Sequence, residues 1–241
     1  MILTAPQIGF DRFVQLDWVA VAMKVRAGIV SVDELNKLLD AAVLGKESRA
    51  KTRTKLNGLG LEPRPELIDF IDRGIRIFKD LDKAEGLAAF AWGAAIAAYP
   101  YFGKISEFTG RLTSIQGDCS VSEIHRRMSE VYGDRDATKR ATQAVIQTQA
   151  NWGVIERVEK GRRLVRLAAK PITNEQAAAW LVEAALRYQD KPVSLAALHS
   201  LAVIYPFVLP QSLGYLISNS PLLEIRSDGP ANQLVALRST L

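Results

Sequence analysis

A chain of 241 residues, 48% hydrophobic and 24% charged, has the composition of a folded globular protein and is long enough for one large domain or two to three small ones. Its single cysteine, Cys119, excludes an internal disulfide and any multi-cysteine metal site. The formal net charge of +5 favours an anionic partner.

The opening stretch, MILTAPQIGFDRFVQLDW, lacks the basic start and long apolar run of a secretory signal, so a reducing cytoplasm is the expected location. Residues 11–27 place Phe13, Leu16, Val19, Ala20 and Met23 at helical spacing, and Gly28 ends this first helix. Ser31 with Glu34 fits a capping box for a second helix, lined by Leu35, Leu38, Leu39 and Ala42 and closed by Gly45. Next, Lys46, Arg49, Lys51, Arg53 and Lys55 crowd five positive charges into ten residues against Glu47 alone. On a helix Lys46, Arg49 and Arg53 share one face and Lys51 and Lys55 another. This basic helix is a candidate phosphate contact, or else a solvated surface neutralised by Asp33, Glu34 and Asp40.

After a break at LEPRP, Leu67, Ile68, Ile71, Ile75 and Phe78 mark an amphipathic helix. Asp82 and Glu85 are candidate caps for the stretch GLAAFAWGAAIAAYPYF, residues 86–102, which carries no charge over 17 positions. That is short of the ~20 apolar residues a membrane span needs. A buried helix at the centre of an N-terminal bundle is expected instead, with Ala88, Ala91, Ala94 and Ala95 permitting close approach. GKISEFTGRL then reads as another helix, and SIQGDC as a linker.

Ser120 with Glu123 fits a second capping box, opening the helix VSEIHRRMSEVY. Beyond the turn YGDRD, Ala141, Val145, Thr148 and Trp152 define one face of a helix that Gly153 stops. VIERVEKGRRLVRLA follows, with Val154, Arg157 and Val158 before a Lys160-Gly161 turn and Leu164, Val165 and Leu167 after it, a hairpin pattern. Helix, turn, helix and hairpin is the order of a winged helix-turn-helix. Residues 120–170 hold eleven Lys and Arg against six Asp and Glu, a net of +5, while residues 1–119 give 16 against 15 and residues 171–241 give 4 against 5. Lys139, Arg140, Gln143 and Gln147 on the second helix and Lys160, Arg162 and Arg163 on the wing are therefore the candidate DNA-binding residues. A solvated basic face is the alternative.

Toward the end, NEQAAAWLVEAALRYQD reads as a helix with Trp180, Leu181, Ala184, Ala185 and Tyr188 inward. Two helical pieces punctuated by Pro206 and Pro210 follow, then LLEIRSDGPANQLVALR as strand, turn and strand. The expected architecture is mainly α: an N-terminal helical bundle over residues 1–113, a winged helix-turn-helix over 114–171, and a second, winged-helix-like unit over 172–241. The charge of that last unit argues for packing or partner binding. His125 and His199 have neither a nucleophile motif nor a zinc spacing beside them, and GLGLEP lacks the Lys-Ser/Thr of a phosphate loop. No catalytic residue, metal, cofactor or small-molecule substrate is expected, and no membrane association.

The segments LGKESRAKTRTKLNGL, AFAWGAAIAAYPYFGKISEFTGRL and ATKRATQAVIQTQANWGVI together resemble the BrxA family, DNA-binding accessory proteins of bacterial BREX phage-defence systems. The resemblance covers roughly residues 30 to 167, and the stretch from Thr173 onward is longer than the family pattern leads one to expect. It implies an all-helical N-terminal half, double-stranded DNA binding without enzymatic activity, and other defence-system proteins as partners. Two further classes remain open: an adaptor whose winged helices dock partner subunits, and a DNA-processing enzyme.

Overall fold

Helices make up most of the chain. The computed structural model describes residues 6–79, 83–227, 229 and 232–238. Six helices come first: α1 (Leu16–Arg26), α2 (Val32–Ala42), α3 (Lys46–Gly58), α4 (Ile68–Phe78), α5 (Lys83–Ala98) and α6 (Pro100–Gln116). The alanine-rich α5 is buried from Ala88 through Ala98, because small side chains let the surrounding helices close on it. Among the described residues no helix is long and apolar enough to cross a membrane.

A strand β1 (Asp118–Ser120), helices α7 (Val121–Tyr132) and α8 (Asp136–Asn151), and a hairpin of β2 (Ile155–Val158) and β3 (Arg163–Arg166) follow. The strands form one antiparallel sheet in the order β1-β3-β2, with Cys119 opposite Leu164 and Arg157 opposite Leu164 from the other side. The hairpin turns through three successive left-handed residues, Glu159, Lys160 and Gly161, at φ 51°, 57° and 82°. Beyond β4 (Lys170–Pro171) lie α9 (Glu175–Gln189), β5 (Val193–Ser194), two tight helical turns at Leu195–Ser200 and Ala202–Ile204, β6 (Phe207–Val208), α10 (Leu213–Ser218), β7 (Leu223–Ser227) and β8 (Gln233–Leu237). Strands β4 and β6 pair in parallel, and β5, β8 and β7 form a second antiparallel sheet. Its order, first-third-second along the chain, repeats that of β1-β3-β2.

Several boundaries differ from the sequence expectation. The first helix starts at Leu16 rather than Asp11, because the segment before it is pinned elsewhere: Val14 N–H donates to Thr148 Oγ1 at 3.0 Å and Leu16 N–H to Asn151 Oδ1 at 2.8 Å. Ser31 makes no side-chain capping bond, and Glu34 N–H closes instead on the Ser31 carbonyl at 3.2 Å. Ser120 does cap α7, accepting from Glu123 N–H at 3.2 Å, while the Glu123 carboxylate turns to arginines. The expected cap Asp82 and the side chain of the other, Glu85, lie outside what is described. Ser114, Ile115 and Gln116 are no linker: α6 continues until Gly117 adopts φ 77° and donates to the Thr113 carbonyl at 2.9 Å, a left-handed helix end. Of the two helical pieces expected around Pro206 and Pro210, the second forms α10, while the first reduces to the tight turns and the short strands β5 and β6, since its carbonyls are taken from outside. Trp92 Nε1 donates to Val203 O at 2.8 Å and Lys170 N–H to Pro206 O at 2.8 Å.

The buried side chains form one continuous cluster with members from all three stretches. At its joint, Trp180 of α9 enters between α4 and α5. Its ring stacks on Phe70 at 4.4 Å and on Phe90 at 5.6 Å, meets Phe78 edge-on at 5.2 Å, and donates Nε1–H to the Phe70 carbonyl at 2.8 Å. The slot exists because Gly74 and Gly93 lack side chains: a Cβ at Gly93 would stand 2.1 Å, and one at Gly74 2.6 Å, from ring atoms of Trp180. Gly93→Ala is expected to destabilise the fold by about 1–3 kcal/mol through overpacking, and Trp180→Ala by about 3–5 kcal/mol through cavity formation. Equilibrium denaturant unfolding with unchanged midpoints would contradict the slot.

Candidate nucleic-acid interface

Helix α8 is held on one side by hydrogen bonds as well as by apolar packing. Thr138 Oγ1 donates to Gly133 O at 2.9 Å, Tyr101 Oη donates to Thr138 O at 2.9 Å, and Gln149 Nε2 donates to Ser106 Oγ at 3.1 Å. Ala141, Val145, Thr148 and Trp152 are buried, as their spacing requires. Burial also pushes the Tyr101 hydroxyl up to about 12 despite its Thr142 hydrogen bond, so it stays a neutral donor.

The uncovered face of α8 carries Lys139 and Arg140, both exposed, and Gln143 and Gln147, both half-buried. All four sequence candidates therefore fall on one strip of a rigid helix. Lys139 pairs with exposed Asp134 at 3.1 Å, an ion pair that water screens, whereas Arg140 has no hydrogen bond or ion pair among the described residues. On the hairpin, Lys160 and Arg162 are exposed and equally uncommitted among the described residues. Arg163 is different: it is hydrogen-bonded to Asp118 of β1 and lies 3.7 Å from Glu159, so its charge ties the sheet together.

The basic helix α3 divides in the same way. Arg49 pairs with Asp40 at 2.7 Å, Arg53 donates to Asn36 Oδ1 at 2.8 Å, and Lys55 donates to Gly9 O at 2.7 Å while pairing with Asp11 at 3.1 Å. Of the expected neutralising acids, Asp40 thus takes one partner. Lys46 is exposed without a partner among the described residues, and Lys51 is bound to Glu47 one turn away. The remaining charge of α3 does not stand apart from α8. Lys51, Arg135 and Arg140 line a common cleft of about 750 Å³ with Arg12 and the residues around Ile8. Sequence reasoning passed over Arg12, an isolated charge beside Asp11, and Arg135, inside the predicted turn; neither belongs to a run or a periodic face.

Other titratable groups are committed to structure. Hydrogen bonds from Arg126 and Arg127 hold the Glu123 carboxyl down to about 2. Burial pushes the Cys119 thiol up to about 11, which makes it inert. His199 is exposed on its tight turn. His125 is half-buried; its Nδ1 lacks a hydrogen-bond partner, and burial together with nearby Lys139 lowers its pKa from 6.5. Among the described residues no group of three or more His, Cys, Asp or Glu is placed to hold a metal ion. Comparison of the chain with models of protein families, with characterised proteins and with solved structures finds no match.

The His125 shift has a definite sign. An unfolded histidine binds a proton more readily than this one, so stability is full above about 6.5 and falls as pH drops through the lower folded value. His125→Gln should flatten that acid limb in thermal melts; an identical limb would assign the loss to other groups.

Proposed function

We propose that the chain is a non-enzymatic double-stranded DNA-binding protein in which α6, β1, α7, α8, β2 and β3 form a winged helix-turn-helix, and α8 enters the major groove. The observation that carries this reading is the exposed strip of α8. Lys139, Arg140, Gln143 and Gln147 are presented together by a helix whose opposite side is locked by hydrogen bonds, and polar side chains so held can meet base edges and phosphates. The uncommitted Lys160 and Arg162 supply the wing's grip on an adjacent backbone. Helix α9, β5, α10, β7 and β8 follow a similar order, with tight turns and the short β6 in place of α7, and their sheet repeats the strand order, which supports a second winged-helix-like unit. Charges there are 4 Lys and Arg against 5 Asp and Glu, which suits a protein-facing role in a cytoplasmic complex. The resemblance to the BrxA family extends the proposal to a BREX-type defence assembly with other defence proteins as partners.

The rival reading, an adaptor that docks protein subunits, draws on the C-terminal unit. There Tyr215 stands 69% exposed beside a cleft between α4, α9 and α10. Gel shifts of unrelated duplexes across salt concentrations separate the two: DNA binding requires affinity falling with a log-log slope of about −0.9 per neutralised phosphate, and absence of binding at low salt favours the adaptor.

The division of labour on the hairpin gives a sharper expectation. Replacing Lys160 and Arg162 with alanine should weaken binding to all duplexes alike, with the melting temperature unchanged. The salt slope should shrink by up to about one unit for each phosphate that the variant no longer neutralises. Arg163→Ala should instead lower the melting temperature, because Asp118 is left without its hydrogen-bonded partner. If the variant lacking Lys160 and Arg162 binds as wild type, the wing does not touch DNA.

A further inference from the structure

The cleft between the N-terminal segment, α3 and α8 carries positive charge that the fold does not neutralise. Arg12, Arg135 and Arg140 line it without an ion pair among the described residues, and Lys51 adds a fourth cation whose sole ion-pair partner there is exposed Glu47. The lining carboxylate, Asp11, is already engaged by Lys55 at 3.1 Å. Glu47 lies close enough to Arg12 to feel its charge, yet it is hydrogen-bonded to Lys51. Three guanidinium groups facing one opening repel one another, and a compact fold has no packing reason to gather them there. Such convergence is stabilised when an anion enters.

The walls are also built to hold position. The backbone on either side of Arg12 is hooked to distant elements: Gly9 O accepts from Lys55 Nζ, and Val14 N–H donates to Thr148 of α8. Arg12 is itself half-buried, with Nε shielded from solvent and without a hydrogen-bond partner. A planar guanidinium fork matches the paired oxygens of a phosphate better than it matches a point acceptor. Arg140 belongs both to this cleft and to the exposed strip of α8, so a group seated in the cleft would be continuous with a ligand lying along the helix.

We propose that the cleft seats a backbone phosphodiester of a duplex bound on α8, with Arg12 as a phosphate-binding residue contributed by the N-terminal segment. The proposal rests on the DNA-binding reading above. Arg12→Gln and, separately, Arg135→Gln are compared with the wild-type chain in duplex titrations across salt, and in thermal melts with and without inorganic pyrophosphate as a probe of the cleft alone. Arg12→Gln is expected to weaken duplex binding about tenfold and to reduce the salt slope by about one unit. Pyrophosphate should raise the melting temperature of the wild type and have no such effect on the variant. Without ligand the variant should melt no lower than wild type, because it relieves like-charge repulsion. Duplex affinity and slope unchanged in both variants would overturn the cleft while leaving α8 as the reader. A wild type that binds no duplex, yet is stabilised by pyrophosphate through Arg12, would overturn the duplex as ligand and the DNA-binding reading with it.

Discussion

The insertion of Trp180 between α4 and α5 is the contact on which the relation of the C-terminal helices to the N-terminal bundle depends. A side chain from α9 fills a slot made by residues about a hundred positions earlier, and its indole nitrogen satisfies the Phe70 carbonyl as it does so. One helical turn further along α9, Glu183 is 3% exposed and bonded by Arg73 of α4 at 2.7 Å and by Arg187 at 3.0 Å. A carboxylate so buried is tolerated only with both cations in place, so the ion pair fixes the angle that the stacked ring leaves free.

Two other buried tryptophans act by the same principle. Trp92 on α5 donates to Val203 O and Trp152 beyond α8 donates to Val14 O at 3.0 Å, each tying a polar indole edge to a distant irregular segment. Irregular backbone has carbonyls to spare, and a buried N–H must find one. The rigidity of α8 follows, since it is clamped by the N-terminal segment on one flank and by Tyr101, Ser106 and Tyr205 on another. The side chains left outside that clamp are the ones free to meet a ligand.

What could be read from the residues follows from the range of the forces involved. Helix existence and the inward face of α8 were legible because apolar spacing is local, and the strip of Lys139, Arg140, Gln143 and Gln147 is simply its complement. The hairpin was legible from its Lys160-Gly161 turn. Illegible was everything decided by partners far along the chain: the late start of α1, where Thr148 and Asn151 claim backbone donors, and the tight turns after Ser194, where Trp92 claims a carbonyl. The same holds for charge. Five cations in α3 look equivalent in sequence, but Asp40, Asn36 and Asp11 withdraw Arg49, Arg53 and Lys55 from solvent, and nothing near Arg12 announces that it will join Arg140.

The hook between the N-terminal segment and α8 also sets an order of events during synthesis. Val14 leaves the ribosome 138 residues ahead of Trp152, the side chain that satisfies its carbonyl, and Leu16 leaves 135 ahead of Asn151. Until those partners emerge, the Val14 carbonyl and the Leu16 N–H have no side chain to pair with and stay hydrated, although Gly9 and Phe10 can already meet Lys55 and Phe102. Closing that span brings the segment around Arg12 against α8, so the cleft cannot be complete before α8 has emerged.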